Sequence, residues 1–236
     1  MLMTSEERLM NLLSLVDVLE KLSEEELREL AQRCAIISLR AEQEFYRPEE
    51  HDGGLFLILE GHVRVYLTYP VGKETTLELL TSGTVLWAHG LELVGEQGVH
   101  AQAFEPTTLA FVVREDFERL VLKKPEVGLR MMDLFAERMA SGNERLAEFA
   151  HQGVLSRLTS QILRLLESEG LVDRQGGHRL PTAYTHEELG TMIGAERVAV
   201  NRALGLLKGA GVLETRRRRI HVRDTEALRR IAVEGV

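Results

Sequence analysis

Between Thr185 and Ala203 the chain carries a local code that leaves little choice of shape. Thr185 followed three residues later by Glu188 is a capping box, a helix start in which each residue's side chain satisfies the other's backbone N–H. Leu189 and Ile193 give that helix one apolar face, with Gly190 small enough to let a second helix approach. Gly194 predicts the stop, because a tight exit from a helix needs a positive φ that glycine adopts without steric cost. A second helix then follows, with Val200, Ala203, Leu204 and Leu207 on its buried face and Arg197, Val198, Asn201 and Arg202 on its outer one. A short helix, a glycine turn and a helix with guanidinium and amide groups outside form a helix-turn-helix, whose second helix suits a DNA major groove. There Arg matches the O6/N7 edge of guanine, Asn the N6/N7 edge of adenine, and Val198 can meet a thymine methyl. The competing reading is an ordinary helical hairpin with solvated charges.

The segment that follows strengthens the first reading. Gly209 to Gly211 precedes a strand from Val212 to Thr215, then Arg216, Arg217, Arg218 and Arg219, then a strand from Ile220 to Val222. Two short strands joined by a basic turn predict a wing beside DNA phosphates. Four adjacent arginines repel one another unless a polyanion, or the nearby Glu214 and Asp224, relieves them; a merely solvated turn is the alternative. The whole chain of 236 residues has a formal charge of -8, an unpromising balance for a DNA partner. The field that matters is local, however. Residues 154–236 hold 14 Lys and Arg against 10 Asp and Glu, whereas residues 1–153 hold 15 against 27. Two solvated surfaces with a chance bias would look the same.

The first half has a different rhythm. Leu9, Leu12, Leu13, Val16, Leu19 and Leu22 are spaced for a helix, and Ser23 before Glu24, Glu25 and Glu26 starts a second one. From about Ile36 to Arg114 short apolar runs alternate with glycine turns. Leu55 to Leu59 is continuous; Val63, Val65 and Leu67 alternate with His62, Arg64 and Tyr66; Pro70 to Lys73 and Ser82-Gly83 are turns. That pattern predicts a small barrel or jelly roll. Pro125 to about His151 is a long helix. Along it Leu129, Met132, Ala136, Met139, Asn143, Leu146 and Ala150 recur at alternating steps of three and four, the seam of a two-stranded coiled coil with one polar residue to set register. A second stripe, Met131, Phe135 and Phe149, is expected to pack on the barrel; a buried monomeric helix would use many of the same residues. Gln152-Gly153 interrupts the pattern, which makes Gly153 the expected hinge.

Other classes are poorly supported. No run reaches the ~20 apolar residues of a membrane span, and Met1 to Asp17 is acidic with no signal-peptide pattern. The lone Cys34 can form neither an internal disulfide nor a four-thiolate iron–sulfur site, so a reducing cytoplasm is expected. His186-Glu187 begins like a zinc-binding HExxH, but Gly190 stands where the second histidine would be, and no metal site is expected. There is no nucleophile elbow and no phosphate-binding glycine loop, so no enzyme and no catalytic residues are expected.

With those residues in view, the chain resembles the cyclic-AMP receptor protein/FNR (Crp/Fnr) family of bacterial regulators over nearly its whole length. Leu55 to Val65 and Gly72 to Gly83 are similar to the glycine-punctuated strands of the family's cyclic-nucleotide-binding barrel, and Leu180 to Leu213 to its helix-turn-helix. The resemblance implies an α+β fold: a cyclic-nucleotide-binding-like jelly roll over 1–122, a dimerisation helix and hinge over 123–152, and a winged helix-turn-helix over 153–236. It also implies a homodimer on a two-fold symmetric site, contact with RNA polymerase and activation of transcription. Thr185, His186, Glu196, Arg197, Val198, Asn201, Arg202 and Arg216 to Arg219 fall on the DNA side; Leu129, Met132, Ala136, Met139, Asn143 and Leu146 form the dimer seam. Val198 replaces the family's usual glutamate, an Arg-Val pairing that resembles the cyanobacterial nitrogen-control branch and its GTA-like half-site core. Glu196 replaces the usual phosphate-contacting Ser or Thr.

The sensor departs further. The family's cassette pairs Gly-Glu and Arg-Ser to hold ribose and cyclic phosphate; Trp87-Ala88 and Val99-His100 stand there instead, with His89 between, and no Lys or Arg lies between Lys73 and Arg114. A buried phosphate without a cation costs several kcal/mol, so cyclic nucleotide is not expected and Trp87 is expected to fill the pocket. No cofactor follows. The barrel then binds nothing, an unknown small molecule, or haem through His51, His62, His89 or His100. A ligand or interaction module that has lost DNA binding is the remaining alternative.

Overall fold

The computed structural model of the chain describes residues 5–46, 53–70, 72–88, 99–172 and 177–234. It forms two compact units, Met1–Arg138 and Met139–Val236. Both His51 and His89 lie outside the described residues.

In the first unit, α1 (Ser5–Ser14) is followed by a single 3-10 turn at Asp17–Leu19 and by α2 (Glu24–Ala31). The apolar spacing from Leu9 to Leu22 therefore does not make one helix. The Asp17 N–H leaves the helical ladder and donates to the Gly83 carbonyl at 2.8 Å, a tertiary bond that stops the first helix. Ser23 and Glu26 then form a full capping box at the start of α2.

Among the described residues eight strands follow: β1 (Ala35–Leu39), β2 (Glu44–Tyr46), β3 (Leu55–Glu60), β4 (His62–Thr68), β5 (Glu74–Thr81), β6 (Val85–Trp87), β7 (Val99–Ala103) and β8 (Thr107–Val112). They make two antiparallel sheets ordered β1-β8-β3-β6 and β2-β7-β4-β5. The first sheet is covered on both faces, which explains the unbroken apolar run of β3. Phe56, Ile58, Leu86 and Leu109 point into the roll. Leu55, Leu57, Leu59, Val85, Ala110 and Val112 point the other way, against α1, α2 and the helices that close the unit.

Those helices are α3 (Arg114–Lys123) and the first half of α4 (Pro125–His151). Val127, Met131 and Leu134 join the helix-side core. Arg130 grips both oxygens of Asp17 at 2.5 and 2.6 Å, and Arg138 donates to the Val85 carbonyl at 2.7 Å. Met131 packs as expected of the second stripe, but its companions do not. Phe135 and Phe149 are both exposed, and the Phe149 ring stands beside Gly194 of its own unit. The boundary between the units falls inside α4.

The second unit holds the end of α4, then α5 (Val154–Glu169), β9 (Leu171–Val172), β10 (His178–Arg179), α6 (His186–Ile193), α7 (Arg197–Gly209), β11 (Leu213–Arg216), β12 (Arg219–Val222) and α8 (Thr225–Glu234). Its strands form one antiparallel sheet ordered β11-β12-β10-β9, so the wing hairpin is braced by two short strands that sequence patterning does not reveal. Leu158, Ile162, Leu189, Val200, Leu207 and Leu228 anchor the core.

Candidate nucleic-acid interface

The positioning begins one loop before the motif. Glu169, at the end of α5, accepts the hydroxyls of Thr182 and Tyr184, which holds the chain entering α6. Thr185 then caps α6: its Oγ1 accepts from Glu188 N at 3.1 Å, and Glu188 Oε2 accepts from Thr185 N at 2.6 Å. Gly190 sits under the turn, where a Cβ would lie 2.5 Å from the Ala195 carbonyl oxygen. Gly194 leaves the helix at φ +59, and a Cβ there would also stand 2.6 Å from the Phe149 ring. A side chain at this position is thus opposed by backbone strain and by a close neighbour together.

Val200, Ala203, Leu204 and Leu207 are all buried on the inner face of α7. Arg197, Val198, Asn201 and Arg202 are all exposed, Val198 by 66%. Glu196 is the N-cap residue of α7, is exposed and makes no side-chain cap bond. No carboxylate among the described residues comes within ion-pair distance of Arg197 or Arg202. His186 is half-buried at the start of α6, and its pKa is lowered from the usual histidine value by that burial first, then by the positive charges of Lys208 and Arg197. Lys208 is absent from the sequence-based set, although it stands three helical turns beyond Arg197, a spacing that returns to the same side.

The wing differs from a loose basic loop. Arg216 and Arg219 are cross-strand partners at the ends of β11 and β12, and only Arg217 and Arg218 form the turn. Both have positive φ, 50 and 65. A two-residue hairpin turn of this kind normally takes Asn and Gly, and each arginine held there costs about 1–2 kcal/mol. Of the two expected carboxylates, Glu214 does pair with Arg216, at 2.8 Å, and with Arg223. Asp224 instead accepts from Ala227 N at the start of α8.

In the first unit, Ala88 and Val99 of the residues expected at an effector pocket share one core, Trp87 and His100 lie outside it, and His89 is outside the described residues. Trp87 does not fill the roll; it leans edge-on against Phe117 of α3, ring centroids 5.1 Å apart. The reason is the period of two along β6, which sends Leu86 and Ala88 inward and Trp87 outward. Inside, Phe56 packs with Phe45 and Phe111, and Val99 and Ala88 lie in the same core. His100 is on the outer face of its sheet, stacked on Tyr66, with Nδ1 2.5 Å from Glu44 and Nε2 3.2 Å from Thr68. His62 is 2.5 Å from Glu105. Among the described residues, Arg138 reaches β6, where it is engaged by Glu78 at 3.1 Å and by the Val85 carbonyl at 2.7 Å. One more feature escapes sequence reading: Arg64 is 7% exposed on the outer face of β4, stacked over Tyr66 and bonded to Thr76 and Glu74.

The dimer-seam positions Leu129, Met132, Ala136, Met139, Asn143 and Leu146 are all exposed in the single chain, an apolar stripe with Met139 70% accessible. Gly153 caps α5 at φ -73 and ψ 168, a conformation open to any residue, with nothing within 4 Å of a Cβ. No helix among the described residues is long and apolar enough to cross a membrane.

Residues 156–231 match the family model for the Crp-like helix-turn-helix domain, and residues 36–124 that for the cyclic nucleotide-binding domain. The chain is 31% identical over 178 residues to the cyclic AMP receptor protein of Thermus thermophilus, an alignment covering 75% of this chain and 79% of that one. It is 28% identical over 177 residues to the global nitrogen regulator of Synechocystis, covering 74% and 78%. A solved structure of a CooA mutant from Carboxydothermus hydrogenoformans superposes with a TM-score of 0.76 at 25% identity, over 92% of this chain and 95% of that one.

Proposed function

Since the chain belongs to the Crp/Fnr family of transcription regulators, we propose that it works as a homodimer on a palindromic promoter site, without a cyclic nucleotide. The observation that carries this reading is the outer face of α7. Arg197, Asn201 and Arg202 are exposed there, and neither arginine is held by a carboxylate among the described residues. An unpaired guanidinium in water is available to a guanine edge or a phosphate; one locked into an ion pair would first have to be released. The wing supports the same side, since Arg217 and Arg218 project from a turn they occupy at a conformational cost.

Dimerisation through Leu129, Met132, Ala136, Met139, Asn143 and Leu146 is supported by the size of the exposed stripe, which a solitary helix in water would not favour. Two recognition helices would then enter successive major grooves about 34 Å apart. The Arg197-Val198 pairing favours a GTA-like half-site core. Independence from cyclic nucleotide is supported by the absence of Lys and Arg from 74–113. Activation through RNA polymerase is part of the same reading, on the family's precedent.

Mapping of genomic sites bound by the purified protein with no added ligand tests the proposal. Discrete palindromic sites, lost with Arg197→Ala, are expected. Binding only after addition of a small molecule would overturn the effector-independent part; no discrete site under any condition would overturn the whole.

A further inference from the structure

A second arginine in the C-terminal unit has an arrangement that DNA contact does not explain. Arg157, in the first turn of α5, is half-buried and bonds to the last residue of α6 and to the residue just after α4. Its Nε donates to the Ile193 carbonyl at 3.0 Å, and its Nη1 donates to the Gln152 carbonyl at 2.6 Å. The first oxygen lies at the C-terminus of α6 and the second just beyond α4, both at the negative ends of helix dipoles that favour a cation. The guanidinium also lies over the Phe149 ring, 5.2 Å from its centroid. Phe149 in turn lies against Gly194, where a Cβ would meet its ring at 2.6 Å. A second tie runs beside the first: Arg164 of α5 holds both oxygens of Glu148 on α4, at 2.7 and 3.0 Å.

The end of α4 and the turn between α6 and α7 therefore meet at one planar cation, inside one compact unit. The same stretch of α4 carries Met139, Asn143 and Leu146. We infer that Arg157 is a positioning residue that sets the angle between α4 and the recognition pair, and through it the half-site spacing the dimer accepts. This rests on the dimeric DNA-binding reading above. In a two-fold dimer each recognition helix sits at the end of a lever, and one base pair shifts a half-site by only about 3.4 Å. Slack at this joint would let a dimer follow half-sites set one base pair too near or too far. It would leave untouched the side chains that read bases within each half-site.

The test uses full-length protein and a set of palindromes with identical half-sites and a central spacer of normal length, one base pair shorter, or one longer. Wild type is expected to prefer one spacing. Arg157→Gln should weaken binding at that spacing about tenfold, the loss of charged hydrogen bonds, and change the other two little, so that the preference falls toward unity. Penalties for base changes within a half-site should stay as in wild type. Arg157→Lys, which keeps the charge but not the fork or the stacking, should restore part of the preference. Phe149→Leu removes the ring under the guanidinium while keeping apolar volume, and carries the same test should the glutamine variant fail to melt cooperatively. An unchanged preference in these variants, or an equal loss at all three spacings, would overturn the inference. A wild type that prefers no palindrome over a single half-site would overturn the dimeric reading with it, and that failure shows before any variant is made.

Discussion

Cations are paired with carboxylates more completely in the first unit than in the second. In the first, Arg33 pairs with Asp116 at 3.0 Å, Lys123 with Glu29 at 2.8 Å, Lys124 with Glu26 at 3.2 Å, Arg130 with Asp17 and Arg138 with Glu78. In the second, pairing is selective. Arg164, Arg216 and Arg223 have carboxylate partners, while Arg197, Arg202, Arg217, Arg218 and Arg219 have none among the described residues. Carboxylates of the N-terminal half thus hold most of its arginines and lysines, although Lys21, Arg40 and Lys73 have no such partner among the described residues. A net charge of -8 says little about partners, because most of the anions and the unpaired arginines of α7 and the wing are on different parts of the chain.

The sharpest way to break that contrast is to delete one cation of each kind. Arg197→Ala should cost about 10- to 100-fold in specific affinity per half-site, the value of a bidentate base contact. Arg33→Ala, which removes a charge that is also exposed but paired, should leave the DNA titration unchanged. Equal effects would mean that pairing is not what separates the units.

The wing offers a smaller effect with two opposed signs. Replacing Arg217 and Arg218 by Asn and Gly relieves two left-handed arginines, and should raise stability by about 1 kcal/mol or more in thermal unfolding. The same change should weaken DNA binding and flatten its salt dependence, by about 0.9 in log–log slope for each phosphate no longer neutralised. A stabilised variant with an unaltered slope would remove the wing from the interface.

His186 sharpens the electrostatic side. In the free protein, burial and then Lys208 and Arg197 hold its pKa below the ordinary 6.5. A folded histidine with a lowered pKa binds fewer protons than the unfolded one, so it withdraws stability as pH falls below 6.5. Phosphates arriving at Lys208 and Arg197 reverse the local field, raise the pKa and draw a proton in. Affinity should therefore rise as pH falls toward and below 6.5, and His186→Gln should reduce that slope. An affinity insensitive to pH would mean that DNA does not approach this corner.

The smallest expected effect is in the first unit. The hydrogen bonds from Arg130 hold the Asp17 carboxyl below its usual 3.8. A lowered carboxylate contributes stability above the unfolded value that is lost as pH falls through the folded one. Both side chains are 36% exposed, so after solvent screening the pair is worth about 1 kcal/mol or less at neutral pH. Asp17→Asn should lower the thermal midpoint slightly at pH 7, and the difference should shrink as the pH falls below 3.8, measured by circular dichroism.

Some of this was readable residue by residue. The capping box at Thr185, the glycine stop, the four buried positions of α7 and its four exposed ones all depend on neighbours within a few places along the chain, where helical period and cap chemistry operate. The strands of the roll and the long α4 were legible for the same reason. Trp87 was not, because a short strand sandwiched between two apolar layers gives no polar alternation to say which face is which. Phe149 failed similarly: its spacing matched Met131 and Phe135, but its partner is a glycine 45 positions away.

Local patterning was therefore enough to specify where the helices start and stop, which side of the recognition helix stays wet, and that the C-terminal half carries the basic excess. Packing between distant segments decided the rest: the outward turn of Trp87, the burial of Arg64, the left-handed Arg217 and Arg218, the second reason for Gly194 and the three-helix contact of Arg157. Those outcomes depend on which carbonyl, ring or carboxylate arrives from elsewhere in the chain, and a one-dimensional pattern carries no record of that arrival.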